Sequence, residues 1–134
     1  MKTIKLETIE RTYKNNGQHA EQVARYTLTG KIEKADNLPF WAGADVGTIQ
    51  IKSSRATVCK GLNVVEHINA DAAMEYGYVS ADFSTLYIMS VDEYLEFVTY
   101  FGTVTNESPK NGRAVKIRLK TENRMMKEWL RRKA

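Results

Sequence analysis

A chain of 134 residues, 43% hydrophobic and 27% charged, buries enough apolar surface for one compact domain, 1–134, and is too short for two separate cores. One cysteine, Cys59, and two histidines, His19 and His67, exclude an internal disulfide and a Cys/His zinc site. The net charge of +4 is unevenly spread: residues 113–134 carry nine Lys or Arg against two Glu, which leaves eleven basic and fourteen acidic residues in 1–112.

A basic end on a slightly acidic domain suits a polyanion partner, because neutralising phosphate supplies most non-specific nucleic-acid affinity. The plain alternative is a solvated helix face. No apolar run is long enough to cross a bilayer, and the start, MKTIKLETIERTYK, lacks the apolar middle of a secretory signal. These features lead to the expectation of a soluble, cytoplasmic protein.

In chain order, Ile4, Leu6 and Ile9 predict a short helix ended by Asn15-Asn16-Gly17. A second helix is expected from Gln18 to Thr29, with Ala20, Val23, Ala24, Thr27 and Leu28 inward and Gly30 as its stop. Glu21 falls at the edge of that face, with Arg25 one turn on, and His19 reads as a surface residue. Residues 31–47, with Pro39 and Gly43, read as a loop or irregular hairpin leading into a strand from Thr48 to Ser53, and a second strand is expected at Ala56 to Cys59. Asp71 to Tyr76 reads as a helical turn. Tyr76 to Ala81 and Thr85 to Met89 alternate across Asp82-Phe83-Ser84 as a hairpin does.

Ser90-Val91-Asp92-Glu93 has the spacing of a capping box, with Met89 and Tyr94 placed for a hydrophobic staple. The helix it opens should run to Phe101, turning Val91, Leu95, Val98 and flanking aromatics inward, and Gly102 ends it. Val115 to Leu119 reads as a strand on the alternation of Lys116, Arg118 and Lys120. Glu122 to Arg132 is a final helix whose Met125, Met126, Trp129 and Leu130 stripe suits core packing better than a cofactor surface. Helices first, then a run of strands, then helix, strand and helix give a mixed α/β class.

The stretch GADVGTIQIKSS, residues 43–54, stands out. On a strand, Gln50 and Lys52 share one face while Ile49 and Ile51 share the other. Hydrolysing a phosphodiester requires charge stabilisation and, in metal-assisted form, a hard cation that polarises a non-bridging oxygen and acidifies a water. Mg²⁺ is usually held by one or two carboxylates. Asp45 offers one and Glu21 a second, Gln50 offers a neutral amide oxygen, and the Lys52 ammonium suits charge developing on phosphate. Ser54 and Arg55, followed by Lys60, are donors of the kind that contact a phosphate backbone.

Asp45 with Gln50-Ile51-Lys52 resembles the active-site signature of the PD-(D/E)XK nuclease superfamily, which includes many restriction endonucleases and Holliday-junction resolvases. The block 34–61 also looks like phage-type proteins grouped with that superfamily. The resemblance implies a restriction-endonuclease-like fold, a mixed central sheet flanked by helices in a single domain. It also implies an Mg²⁺-dependent DNA endonuclease, with Mn²⁺ as the alternative cation, working as a homodimer because two strands must be cut. Under it Asp45, Gln50, Lys52 and Glu21 are the catalytic set, with Asp45, Gln50 and Glu21 toward the metal and Asp36 the alternative first acid. Ser54, Arg55, Lys60, Lys116 and Arg118 would contact DNA. The chain departs from the commoner pattern at Gln50, which stands where an acid is usual, and in the short Asp45 to Gln50 interval. A relic of the fold that binds nucleic acid without cutting it is the competing expectation.

Overall fold

The computed structural model describes residues 1–32, 46–53, 57–59, 75–105, 116–119 and 122–134; for 57–59, 103–105 and 116–119 it describes the backbone. The fold is α/β. Strands β1 (Lys2–Lys5), β2 (Ile49–Ser53), β4 (Glu75–Val79) and β5 (Thr85–Ser90) form a mixed sheet in the order β1-β5-β4-β2. β2 runs parallel to β4, whereas β4–β5 and β5–β1 are antiparallel. A second, antiparallel sheet has the order β3-β7-β6, from Thr57–Cys59, Lys116–Leu119 and Gly102–Thr105.

Three helices are described: α1 (Asn16–Thr29), α2 (Val91–Phe101) and α3 (Arg124–Lys133). Asn15 caps α1 by accepting the Gln18 N–H. At the other end Gly30 takes the left-handed conformation, φ 75°, and donates its N–H to Tyr26 O at 2.8 Å. That conformation costs glycine little and an L side chain more, so the helix stops where the sequence implied. The Ser90–Glu93 capping box is formed, and Glu93 also takes the Met1 ammonium at 3.0 Å, which ties β1 to the start of α2. The Ser90 backbone N–H and then that ammonium hold the Glu93 carboxyl below its usual range.

Two sequence expectations are corrected outright. The expected first helix is strand β1: Ile4 and Leu6 alternate toward the core, and β5 offers a backbone edge that β1 fills through Thr3↔Tyr87 and Ile4↔Leu86. A short amphipathic run follows an available strand edge because isolated short helices are marginal. Tyr76, taken as the end of a helical turn, is inside β4, and residues 71–74 lie outside the described set. Smaller revisions concern packing. The buried stripe of α2 is Tyr94, Phe97, Val98 and Phe101, with Val91 and Leu95 beside it, and Met125 of α3 is exposed.

The four-stranded sheet is covered on both faces by cores of different chemistry. On one face α1 packs Ala20, Val23 and Ala24 over Ile51, Val79, Leu86 and Ile88, joined by Leu6 and Val46. On the other, α2 and α3 pack Tyr94, Phe97, Phe101, Met126, Trp129 and Leu130 over Tyr76, Tyr78 and Met89. Gly77 explains how the aliphatic layer closes. A Cβ there would lie 2.9 Å from both Ile51 Cδ1 and Leu86 Cδ1 and 3.1 Å from Ile49 Cγ2, so three side chains occupy the space above its backbone.

Candidate functional site

The alternation read from the sequence holds on β2. Ile51 is buried in the aliphatic layer, and the parallel register sets Gln50 beside Tyr76 and Lys52 beside Tyr78. Neighbours in register share a face, so Gln50 and Lys52 lie on the tyrosine side of the sheet, about 7 Å apart along the strand. Both are half-buried. Among the described residues β2 is an edge strand, opened by the turn in which Val46 and Ile49 exchange backbone hydrogen bonds of 3.0 and 2.8 Å around Gly47, φ 58°.

Glu21 is half-buried on α1, the helix that covers the opposite face. The sheet therefore lies between Glu21's helix and the face bearing Gln50 and Lys52. Asp45, Asp36, Ser54, Arg55 and Lys60 lie outside the described residues. Lys116 and Arg118 are on β7, the middle strand of the second sheet, in register with Cys59 and Thr57 on one side and Thr105 and Thr103 on the other.

Among the described residues no group of three His, Cys, Asp or Glu side chains is arranged to hold a metal ion. On the β2 face they supply one neutral oxygen, from Gln50, and one cation, Lys52. That donor set lacks the one or two carboxylates by which Mg²⁺ is usually held.

A second feature of the same sheet face went unread in the sequence. The register continues Lys52↔Tyr78↔Tyr87↔Thr3 across all four strands. Above this row the Tyr78 hydroxyl donates to Glu122 Oε2 at 2.7 Å, and the Ala81 N–H donates to the same oxygen at 3.1 Å. Glu122 precedes α3 and ties it to the end of β4. In the turn below, Asp82 Oδ1 accepts from Ser80 Oγ (2.7 Å), Ser84 Oγ (2.6 Å) and Ser84 N–H (3.1 Å). Those donors, Ser84 first and then Ser80, hold the Asp82 carboxyl below its usual range. Tyr87 is pushed the other way by burial, then by the charges of Glu122 and Asp82. The Tyr78–Glu122 pairing spans 44 positions, and no local pattern signals it.

His19 is a further correction, for it is buried at 6% exposure. Its ring meets Phe83 edge-on at 4.7 Å, and the Arg11 guanidinium lies 5.6 Å from the centre of the same Phe83 ring. Phe83 itself stands at φ 58°. Burial first and the Arg11 charge second lower the His19 pKa from its ordinary 6.5, and Nδ1 has no hydrogen-bond partner among the described residues. Tyr76 and Tyr78 are core residues at 2% and 0% exposure.

The chain matches no protein-family model, no curated protein and no solved structure. Its functional reading rests on its own residues. No helix among the described residues is long and apolar enough to cross a membrane.

Proposed function

We propose that the protein is a metal-dependent DNA endonuclease of restriction-endonuclease-like fold that works as a homodimer. The observation that carries this reading is the placing of Gln50 and Lys52 on one face of a strand, an edge strand among the described residues, whose other face is fixed by Ile51 in the core. A strand held that way presents an amide and an ammonium with little freedom, which is what electrostatic stabilisation of a phosphoryl oxygen demands. Asp45, or Asp36 in its place, and the Gln50 amide oxygen would hold Mg²⁺ or Mn²⁺, with Glu21 as the second acid. The bound ion would supply phosphate polarisation and a more acidic water. Lys52 would neutralise charge on the scissile phosphate, and Ser54, Arg55, Lys60, Lys116 and Arg118 would track the DNA backbone.

A second reading, a nucleic-acid-binding protein that has lost cutting, is favoured by two specific observations. Gln50 is neutral, and Glu21 belongs to the helix of the opposite sheet face. Cleavage of plasmid, branched and single-stranded DNA in Mg²⁺ or Mn²⁺ by the wild type, Asp45→Asn and Lys52→Ala separates the two. The nuclease reading expects nicking by the wild type and loss in both variants. DNA binding by all three proteins without cutting in either metal would establish the second reading.

A further inference from the structure

Between β1 and α1 the chain runs through residues 6–15 without helix or strand, and a few contacts hold it down. The Leu6 N–H donates to Ser84 O at 2.8 Å, the Glu7 N–H to Thr27 Oγ1 at 3.0 Å and the Thr12 hydroxyl to Gln22 Oε1 at 3.2 Å. Arg11 gathers the rest, donating to Tyr13 O, Lys14 O and Asn16 Oδ1 while its guanidinium faces the Phe83 ring. Phe83 therefore joins three parts of the fold: the β4–β5 turn that carries it, Arg11 of this segment, and His19 of α1.

The junction suits a neutral His19. A neutral imidazole can leave one nitrogen as an unfilled lone pair, whereas an imidazolium carries an N–H on both and requires an acceptor for each. Nδ1 is buried with no partner among the described residues, so protonation in place strands a charged donor. The surrounding charges offer no relief. Arg11 has the same sign as an imidazolium, and the segment's other charges, Glu7, Glu10 and Lys14, are exposed. On the turn, Asp82 directs Oδ1 to Ser80 and Ser84 and makes no hydrogen bond to the imidazole. One helical turn to either side of His19 stand Asn15, Asn16, Gln22 and Val23, all uncharged, and the strands beneath α1 present Ile51, Val79, Leu86 and Ile88. Phe83 is itself held at φ 58°, a left-handed conformation that a bulky side chain leaves once its contacts are lost.

We propose that His19, Phe83 and Arg11 form a proton-sensitive latch: with the imidazole neutral, the 6–15 segment and the β4–β5 turn are clamped to α1, and protonation of His19 releases both while the four-stranded sheet stays folded. Release bares the margin of the aliphatic layer, where Ile9 and Phe83 pack as partly buried residues. In the released segment His19 regains its ordinary pKa of 6.5, and in the latched one it lies lower. Opening therefore takes up a proton and becomes easier as the pH falls below about 6.5, by at most about thirtyfold between pH 8 and pH 5. The latch works without reference to whether the β2 edge cuts DNA.

The test is native-state amide exchange, corrected for intrinsic rates, at pH 8, 6 and 5 and in low urea, on the wild type, His19→Gln and His67→Gln. The latch amides are Leu6, Glu7 and Phe83, and the sheet amides are Tyr78 and Tyr87, a register pair of β4 and β5. In the wild type the latch amides should exchange faster than the sheet amides at every pH, with little dependence on urea, the mark of local opening. Their protection should fall by about threefold to thirtyfold from pH 8 to pH 5. His19→Gln should remove that fall. His67→Gln, which leaves His19 as the chain's one histidine, should keep it, so the assignment stands even if His19→Gln folds poorly. Three results would each overturn the latch: latch protection independent of pH in the wild type, a fall that persists in a folded His19→Gln or vanishes in His67→Gln, or latch amides that share the rate and urea dependence of Tyr78 and Tyr87.

Discussion

Replacing Glu122 by alanine tests the long-range tie between α3 and the sheet. The carboxylate accepts the Tyr78 hydroxyl at 2.7 Å and the Ala81 N–H at 3.1 Å. Tyr78 is fully buried, so its hydroxyl depends on protein acceptors. A hydrogen bond to a charged acceptor contributes about 1.5–3 kcal/mol, and the exposed Ala81 contact about 0.5 kcal/mol. Because Glu122 is half-exposed, the lower part of that range applies, giving a loss of about 2–3 kcal/mol. For a domain of this size that lowers the thermal midpoint by about 10 °C. Urea unfolding of wild type, Glu122→Ala, Tyr78→Phe and the double variant gives the coupling directly. The double variant should be less destabilised than the two single losses together, by about 1–2 kcal/mol. Strict additivity, or a Glu122→Ala loss under about 0.5 kcal/mol, refutes the tie.

Two further outcomes follow from the packing. With its pKa below 6.5 in the folded state, His19 binds fewer protons there than in the unfolded chain, so its neutral form supports full stability above about pH 6.5 and stability falls as the pH drops below it. His19→Gln should flatten that part of a stability-against-pH curve measured by denaturant midpoints, and an unchanged slope would count against His19. Gly77→Ala should cost about 1 kcal/mol by overpacking, at the low end because the opposed atoms are side-chain tips. The same change should cost less in an Ile51→Val background, which removes one of those tips, and an equal cost in both backgrounds would contradict the contact.

What the sequence revealed was local. The α1 stop at Gly30, the Ser90–Glu93 box and the β4–β5 hairpin each depend on residues a few positions apart, and each forms as read. The expected helix over Ile4, Leu6 and Ile9 failed because β5, more than 80 positions away, supplies the edge that decides the matter. The shared face of Gln50 and Lys52 was legible from strand alternation alone. The side of the sheet on which Glu21 lies was not, because both faces of this sheet are buried and β2 gives no local sign of which one α1 covers. Glu122 and the buried His19 were missed for the same reason: their partners, Tyr78 and Phe83, come from distant strands or turns.

The division of the sheet into an aliphatic and an aromatic layer has a spectroscopic consequence. Among the described residues the buried tyrosines and tryptophan, Tyr76, Tyr78, Tyr94 and Trp129, all belong to the layer under α2 and α3. Of the chain's two tryptophans, Trp41 and Trp129, the second lies in that layer. In a Trp41→Phe background, near-ultraviolet dichroism and tryptophan emission would chiefly follow one side of the molecule. Loosening of α1 would pass largely unseen by both signals, while amide exchange in Ala20, Val23 and Ala24 would report it.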